Sequence, residues 1–320
     1  MTTAGVGARR DFAVIVPAFN EAPVVPDLVK ELRESFEKHG LGGEVILVDD
    51  GSTDDTARLA EQAAREWPAF KVVRHPRNLG KTEAMVTGTA ATKASNLVLF
   101  DADLQHSPED IPRFLDKLDE GWDIVTGRKI GSYDKRAVSS VYNRLSRRIF
   151  DVPVSDLNSM KAYRRTVLDG LLLRHDWHRF FVVLAHARGA KVTEIDIELL
   201  PRRAGVSKFQ GPFRILVGLL DLVSVWFLLL FSRKPLLLFG GSGLTLATLG
   251  VLVAAVTLYL RFIHPMIGFQ PYVPPMGYRP LLYLVMLLET LGFLLVGFGL
   301  VSEQVAQVRD EIEAIRKRGA

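Results

Sequence analysis

Two long apolar stretches in the last third of the sequence limit most strongly how this chain can fold. Pro235 to Leu260 contains no charged residue, and Pro280 to Ser302 contains only Glu289. At 1.5 Å per residue, each stretch is long enough to cross a bilayer as a tilted helix. We therefore predict two transmembrane helices, at about 235–262 and 280–302. A carboxyl group facing lipid is costly, so we expect Glu289 to lie at a contact between helices.

The basic residues around these stretches predict the orientation of the chain. The connector carries only Arg261 and Arg279, whereas clusters of Lys and Arg precede the first stretch and follow the second. By the positive-inside rule, both termini of this integral protein of the cytoplasmic (inner) membrane face the cytoplasm. The N-terminus shows no apolar run typical of a signal peptide. We expect residues 303–320 to form a cytoplasmic C-terminal helix.

Residues 211–234 form an apolar segment that is broken by Asp221 and followed by Arg233-Lys234. This pattern predicts an amphipathic helix that lies in the membrane interface. A third transmembrane span is the alternative.

The first 210 residues alternate strand-like and helix-like segments. Apolar, β-branched runs predict strands at Phe12–Phe19, Glu44–Asp50, Lys71–His75, Asn96–Asp101 and Trp122–Gly127. Helices are predicted between them at Pro26–His39, Asp54–Trp67 and Thr82–Ala94. This alternation predicts an α/β domain over residues 1–210, with a mainly parallel, Rossmann-like sheet covered by helices.

The strongest candidate site follows the fourth predicted strand. Asp101 and Asp103 stand two residues apart at the end of a buried strand, and Gln105 adds an amide oxygen. Hard oxygen ligands in this number suit Mg²⁺ or Mn²⁺ that carries a diphosphate, rather than an all-protein cage. The alternative is a turn in which Asp101 or Asp103 serves as a cap. Because ligands bind beyond the carboxyl ends of parallel strands, we favour the metal.

Asp49 and Asp50 follow the second predicted strand and are candidates for binding a base or a ribose. Gly80-Lys81-Thr82 looks like the end of a phosphate-binding loop, but His75 stands where that motif requires its first glycine. We therefore exclude a P-loop NTPase. The chain has a net charge of +4 and no cysteine, which suits an anionic partner and excludes disulfides and thiolate chemistry.

A series of motifs in chain order resembles the inverting family 2 glycosyltransferases, which have the nucleotide-diphospho-sugar transferase (GT-A) fold. The motifs are Val16-Pro17-Ala18-Phe19-Asn20-Glu21, Val48-Asp49-Asp50-Gly51-Ser52, Asn78-Leu79-Gly80-Lys81, Asp101-Ala102-Asp103-Leu104-Gln105 and Gly127-Arg128-Lys129. Later motifs are similar to the polyprenyl-phosphate glycosyltransferases, the dolichyl-phosphate mannose synthase-like group. They are Asp156-Leu157-Asn158-Ser159, His178-Arg179-Phe180 and the stretch from Arg203 to Lys208, followed by the apolar segments.

The resemblance implies a role for each matching residue. The nucleotide-sugar would be bound by Pro17, Phe19, Glu21, Asp49, Asp50, Lys81 and Asp101. The metal would be bound by Asp101, Asp103 and Gln105, and catalysis would involve Asp103, Asp156 and Arg128. The lipid phosphate and the diphosphate would be bound by Arg128, Ser159, Arg179, Arg203 and Lys208.

The same resemblance implies transfer of one hexose-type sugar, with inversion, onto an undecaprenyl- or dolichyl-type phosphate. None of the four tryptophans follows an arginine, so the Gln-x-x-Arg-Trp motif of processive synthases is absent and a single transfer is favoured. Nucleic acid is not an expected partner. Two other functions stay open at this point: a membrane-tethered transferase for a glycan or protein hydroxyl, and a sugar-nucleotide sensor without catalysis.

An apolar stripe in the last segment predicts a homo-oligomer. Phe298, Val301, Val305, Val308, Ile312 and Ile315 repeat at alternating spacings of three and four, which is typical of a coiled-coil seam. Docking of this stripe on the first domain is the alternative.

Overall fold

The chain divides into two compact units, Met1–Leu222 and Val223–Ala320. The computed structural model describes residues 11–130, 150, 152–169, 171, 173, 177–201, 203, 220, 223–227, 229, 235–268 and 277–318. Most of the predicted interfacial helix at 211–234 lies outside these residues, and so does Lys208.

A seven-stranded sheet forms the centre of the first unit. Its strands are β1 (Phe12–Ala18), β2 (Glu44–Asp49), β3 (Phe70–Arg74), β4 (Asn96–Leu99), β5 (Ile124–Ile130), β6 (Lys161–Arg164) and β7 (Val192–Glu198). The strand order is β3-β2-β1-β4-β6-β5-β7. Only β6 runs antiparallel to its neighbours, so the sheet is mainly parallel, as predicted.

Helices cover the sheet: α1 (Val25–Lys38), α2 (Thr56–Ala63), α3 (Lys81–Ala90), α4 (Ile111–Asp119) and α5 (Phe181–Ala187). Short 3₁₀ turns lie at Pro108–Asp110, Arg165–Leu168 and Trp177–Arg179. The apolar faces of α1 and α4 close one core against β1, β2 and β4. Because helices cover both faces, the central strands are apolar along their length, and Phe12 to Val16 of β1 are fully buried.

The sequence prediction missed β6 and β7. The predicted strands β1 to β5 are present, with ends that differ by one to three residues, and α2 ends at Ala63 instead of Trp67. Strand β6 was missed because it is short and begins with a buried lysine, Lys161. Strand β7 was missed because its polar residues, such as Glu194 and Asp196, resemble those of a loop.

Two long helices dominate the second unit: α6 (Pro235–Leu258) and α7 (Arg279–Arg318). A π-helical turn, Tyr259–Ile263, and a short helical turn, His264–Met266, follow α6. Each long helix contains a stretch that is apolar and long enough to cross a membrane, and most residues of these stretches are not buried. The two apolar C-terminal helices predicted from the sequence are therefore present.

Glycines let α6 and α7 approach closely. A Cβ atom on Gly243 would lie 2.6 Å from the carbonyl oxygen of Gly292, and a Cβ on Gly292 would lie 2.8 Å from the carbonyl oxygen of Gly243. Further along, a Cβ on Gly250 would lie 2.7 Å from Oε1 of Glu289. Small residues are typical of helix contacts in membranes because they permit close backbone packing. Glu289 thus lies at the contact between the two helices.

Candidate active site

Hydrogen bonds join the chain segments that follow β1 and β2. Asn20 adopts a left-handed conformation (φ 52°). Its backbone amide donates to Oγ of Ser52 at 2.9 Å, and its Oδ1 accepts from the amide of Thr53 at 2.8 Å. The amide of Glu21 donates to Oγ1 of Thr56 at 2.8 Å. Pro17, Phe19 and Glu21 therefore lie at the carboxyl edge of the sheet, beside the segment after β2.

The buried Asp50 carboxylate fixes the backbone ahead of α3. It accepts hydrogen bonds from the amides of Leu79 at 2.9 Å and Gly80 at 2.8 Å. Nδ1 of His75 lies 2.8 Å from Oδ1 of Asp50, and its Nε2 lies 2.9 Å from Oγ1 of Thr87. The carboxylate thus links the end of β2 to the segment that ends at α3.

Gly51 completes this link. It has a φ of +69°, and a Cβ atom would lie 2.2 Å from the carbonyl carbon of Arg77, so only glycine fits there. The neighbouring Asp49 accepts a hydrogen bond from the amide of Ser52 at 3.2 Å. Asp49 therefore shapes the turn after β2.

Lys81 begins α3, and its ammonium group forms an ion pair with the carboxylate of Asp101 at the end of β4. The Lys81 side chain is 25% exposed and that of Asp101 is 28% exposed. Burial opposes ionisation of Asp101, but the charge and the hydrogen bond of Lys81, together with the basic side chains of His106 and Lys161, hold the pKa of this carboxyl below its usual range. Asp101 is therefore ionised at neutral pH.

Asp103 lies in the turn after β4, where Leu104 has a φ of 52°. Oδ1 of Asp103 accepts from the amide of Gln105 at 3.2 Å, and the carbonyl of Gln105 accepts from the amide of Leu200 at 2.9 Å. These bonds shape the turn that carries Asp101 and Asp103, which we call the acidic turn.

The chemistry of this acidic turn fits a divalent ion that takes some of its ligands from elsewhere. Within the described part of the chain, no group of three or more His, Asp and Glu side chains could hold a metal by itself. Asp101 and Asp103 offer hard oxygen ligands, and Mg²⁺ is usually bound by one or two carboxylates together with substrate phosphates.

A second group of charged residues lies across β5 and β6. Nζ of Lys129 is 3.2 Å from Oδ2 of Asp156, whose Oδ1 accepts from the amide of Asn158 at 2.8 Å. Lys161 is 2% exposed and donates from Nζ to the carbonyl oxygen of Ser159 at 2.7 Å. We call Lys129, Asp156, Ser159 and Lys161 the basic wall. It faces the same sheet edge as Asp101, because β6 begins where the parallel strand β4 ends.

Burial lowers the pKa of two basic side chains, Lys161 of the basic wall and the nearby His106. It lowers the pKa of Lys161 to about 7, and the nearby charge of Lys81 adds to the shift, while Asp101 and Asp156 oppose it. Burial lowers the pKa of His106 to about 4, against the opposing charge of Asp101. His106 is therefore neutral at pH 7. Among the described residues, its Nδ1 and Oγ of Ser159 are buried without a hydrogen-bond partner, which indicates polar contacts for a ligand or water.

Other predicted site residues lie in different surroundings. Arg128 is half exposed and binds Asp196 of β7 through two nitrogens, at 2.5 and 2.9 Å, with Glu194 at 3.3 Å. Arg203 contacts Glu31 of α1 at 2.5 Å and Asp27 at 4.0 Å.

Arg179 ends a 3₁₀ turn that is tied to α3, because the amide of His178 donates to Oγ1 of Thr82 at 3.0 Å. The side chain of Arg179 lies outside the described residues.

Sequence reasoning missed Lys129, Lys161, His106 and His75. A signal for Lys129 existed, because adjacent residues in a strand point to opposite faces. Arg128 and Lys129 therefore cannot both face Asp156. For Lys161 and His106 no local signal existed, since lysine and histidine in a polar segment are normally expected at the surface.

Comparison with known proteins identifies the family. The family model described as Glycosyl transferase family 2 matches residues 13–184. An undecaprenyl-phosphate 4-deoxy-4-formamido-L-arabinose transferase from Pseudomonas savastanoi pv. phaseolicola is 31% identical, over 94% of this chain and 87% of that protein. Transferases of the same name from Klebsiella pneumoniae and an Enterobacter species are 30% and 31% identical, over 94% and 97% of this chain and 90% and 92% of theirs.

Among solved structures, glucosyl-3-phosphoglycerate synthase from Mycobacterium tuberculosis, in complex with Mn²⁺, UDP and glucosyl-3-phosphoglycerate, is similar with a TM-score of 0.54. It is 20% identical, over 68% of this chain and 81% of that one, and shows the shared GT-A fold. The resemblance to the polyprenyl-phosphate glycosyltransferases is confirmed by the curated relatives. The chain therefore belongs to glycosyltransferase family 2, and it is a glycosyltransferase.

Proposed function

We propose that this enzyme transfers a single sugar from a nucleotide-diphospho-sugar to a polyprenyl phosphate, with inversion, at the cytoplasmic face of the membrane. The observation that carries the proposal is the basic wall, which lies beside the acidic turn of Asp101 and Asp103. An anionic donor and an anionic acceptor can approach each other only if cations surround both. The names of the curated relatives support the same acceptor class.

The donor half of the site is formed by the carboxyl ends of β1, β2 and β4. Asp101, Asp103 and Gln105 would hold Mg²⁺ or Mn²⁺, which stabilises the negative charge that develops on the departing diphosphate. Pro17, Phe19 and Glu21, with Asp49 and Asp50, would border the nucleoside. Lys81 is placed to move from Asp101 to the diphosphate when the donor binds.

The acceptor half needs no strong general base. The second pKa of a phosphate monoester is near 6, so its oxygen is already a nucleophile at neutral pH. This oxygen forms a bond to the anomeric carbon while the bond from that carbon to the diphosphate oxygen breaks on the opposite face. The electron pair leaves with the nucleoside diphosphate, and no proton has to move. Lys129 and Lys161 would stabilise the negative charge of the acceptor phosphate as it approaches the donor.

The surroundings of Asp156 favour a phosphate over a hydroxyl acceptor. A hydroxyl is not ionised at pH 7 and requires a base that can take its proton. Asp156 is already engaged by Lys129 and by the amide of Asn158. In this arrangement Asp156 would orient the ammonium group of Lys129 toward the acceptor phosphate.

Membrane insertion follows from the apolar helices α6 and α7. We propose that both cross the bilayer, with the enzyme domain and both termini in the cytoplasm, because the connector between the helices is poor in Lys and Arg. The chain has no native cysteine, so single cysteines report topology without background. Labelling from outside at position 272, and not at positions 5 or 318, is expected. External labelling at position 318 would contradict this topology.

The acceptor is tested with radiolabelled nucleotide-sugar and polyprenyl phosphate in vesicles. Label should appear in the organic-extractable fraction, whereas a hydroxyl acceptor would leave it in protein or glycan. Arg203→Ala, Lys208→Ala and Asp156→Asn should reduce lipid-phosphate use far more than donor binding. Lys38→Ala, which removes an exposed ion pair with Glu109, is the matched control. Equal loss of donor binding and lipid use in these three variants would assign the substituted residues to donor binding instead.

The sugar and the base are tested separately. The resemblance implies a hexose-type sugar, whereas the names of the relatives specify a formamido-arabinose, which is a pentose. A thermal-shift panel of UDP-, GDP- and dTDP-sugars with Mg²⁺ should therefore include both sugar sizes. The donor that raises the melting temperature most is then used in the transfer assay.

A further inference from the structure

Helix α7 extends well past the start of its partner helix α6. The amide of Leu236, at the start of α6, donates to Oε2 of Glu303 at 3.3 Å, so Glu303 lies level with that end of the helix pair. From there, α7 continues without a break to Arg318. At 1.5 Å per residue, this extension reaches about 22 Å beyond the pair.

The two faces of α7 differ in what they contact. The residues of α7 that face α6 are spaced four and three apart. Among them, Gly292, Val296 and Gly299 pack closely against α6. The opposite face carries six apolar side chains that are each 55–70% exposed. We call these six the seam: Phe298, Val301, Val305, Val308, Ile312 and Ile315.

The seam has the heptad repeat of a coiled coil. With Val305 and Ile312 at a positions, Val308 and Ile315 fall at d positions, and the alternating spacings of three and four hold over all six residues. Polar residues such as Glu303, Gln307 and Asp310 surround the later part of the seam. A face of that kind is not expected to lie in lipid, and exposed aliphatic side chains in water favour a protein partner.

Charges at the flanking positions match a second copy of this chain. In a parallel coiled coil, the g residue of one helix lies near the following e residue of its partner. By the heptad assignment, Glu311 occupies g and Arg316 the following e, which gives opposite charges. One heptad earlier, Gln304 and Arg309 occupy the same two positions and cannot repel each other. Copies inserted in one membrane with the same topology have parallel helices, and this step rests on the proposed insertion.

We propose that the seam is the self-association surface of the enzyme, and that α7 helices of two or more copies pair in parallel beyond the membrane. Both a and d positions carry β-branched residues after Phe298, a pattern that favours three or four strands over two. Confinement to the membrane raises the effective concentration of the helices, which compensates for the shortness of the seam.

Cysteine crosslinking of the full chain in membranes tests this surface. Val308→Cys, at a d position, should form an intermolecular disulfide under mild oxidation, because identical d residues face each other in a parallel coil. Gln307→Cys, at the adjacent c position, is the matched control and should stay monomeric on a denaturing gel. Equal crosslinking of both variants, or of neither, would overturn the proposal.

Reversing the flanking charges distinguishes self-association of the seam from its binding to the enzyme domain or to lipid. The intact protein in detergent should have the mass of an oligomer, and Glu311→Arg should reduce that mass by placing like charges together. Adding Arg316→Glu should restore it, since the pair is then reversed. An unchanged mass in Val308→Asp, or a failure of the double variant to recover, would show that the seam binds the enzyme domain or the lipid surface. Transfer activity by the monomer leaves the proposed function intact in either case.

Discussion

The ion pair between Lys81 and Asp101 predicts that a lysine competes with the metal for one carboxylate. For a divalent ion to reach Asp101, the ammonium group must leave. Replacing Lys81 by methionine removes both the competing ion pair and a positive charge next to the proposed metal site. Binding of Mn²⁺ in the absence of nucleotide should therefore become tighter.

The partial burial of the pair sets the size of this effect. Exposed pairs contribute about 0–1 kcal/mol, and breaking fully buried pairs costs about 3–5 kcal/mol. Both side chains here are about one quarter exposed, so we expect about 1–2 kcal/mol. Because 1.4 kcal/mol is a factor of ten, the affinity for Mn²⁺ should rise about 5- to 30-fold.

The same substitution should have the opposite effect on the donor. If Lys81 moves to the diphosphate when the donor binds, Lys81→Met loses a charge-assisted hydrogen bond, and affinity for the nucleoside diphosphate should fall about tenfold. Tighter metal binding with weaker nucleotide binding is a signature that general damage to the site cannot produce.

Electron paramagnetic resonance of Mn²⁺ measures the first effect, and calorimetry with the nucleoside diphosphate measures the second. Lys71→Met is the control, because Lys71 also pairs with a carboxylate, Glu44, at 2.6 Å, outside the site. Unchanged or weaker Mn²⁺ binding in Lys81→Met would refute the reasoning.

Three further predictions follow from other parts of the structure. Asp103→Ala should abolish transfer and make nucleotide binding insensitive to Mg²⁺ by calorimetry, with the fold intact; full activity in EDTA would contradict it. Lys161→Met should abolish transfer yet raise the free energy of unfolding by about 4 kcal/mol at pH 7. Burial lowers the pKa of Lys161 to about 7 in the folded state, so the unfolded chain binds more protons between pH 7 and about 10.5. The stabilisation by Lys161→Met should therefore be full below pH 7 and fade as the pH rises through that window. Gly250→Val should lower the melting temperature, because its Cβ would lie 2.7 Å from Oε1 of Glu289, whereas Gly241→Ala meets nothing within 4 Å and should not.

The sequence was sufficient to predict the strands that carry the proposed donor half of the site. Apolar runs that end in polar clusters mark the strands β1, β2 and β4, and parallel strands bring their carboxyl ends to one edge. Asp101 and Asp103 could therefore be placed together without a structure. The two apolar helices were equally visible, since length and lack of charge identify them.

The acceptor half was less predictable because it depends on contacts far apart in the chain. Burial of Lys161 results from pairing of β6 with β4 and β5, which no local pattern reveals. Even in the proposed donor half some contacts are distant in the chain, since the hydrogen bonds of Asp50 with Leu79 and Gly80 span about 30 residues of sequence. Arg203 is paired with α1 through residues more than 170 positions away, a partner that charge patterning does not identify.

The reversed direction of β6 has an evolutionary consequence. The proposed donor half comes from strands that end at the site, all within the first 110 residues, whereas Ser159 and Lys161 precede or begin a strand that starts there. On that proposal, the two substrates would be recognised by separate stretches of the chain that meet only in the folded sheet. Mutations near Ser159 would then alter the accepted substrate while the proposed nucleotide-binding stretches are inherited unchanged. A lineage can in this way acquire new acceptors one at a time and keep its donor.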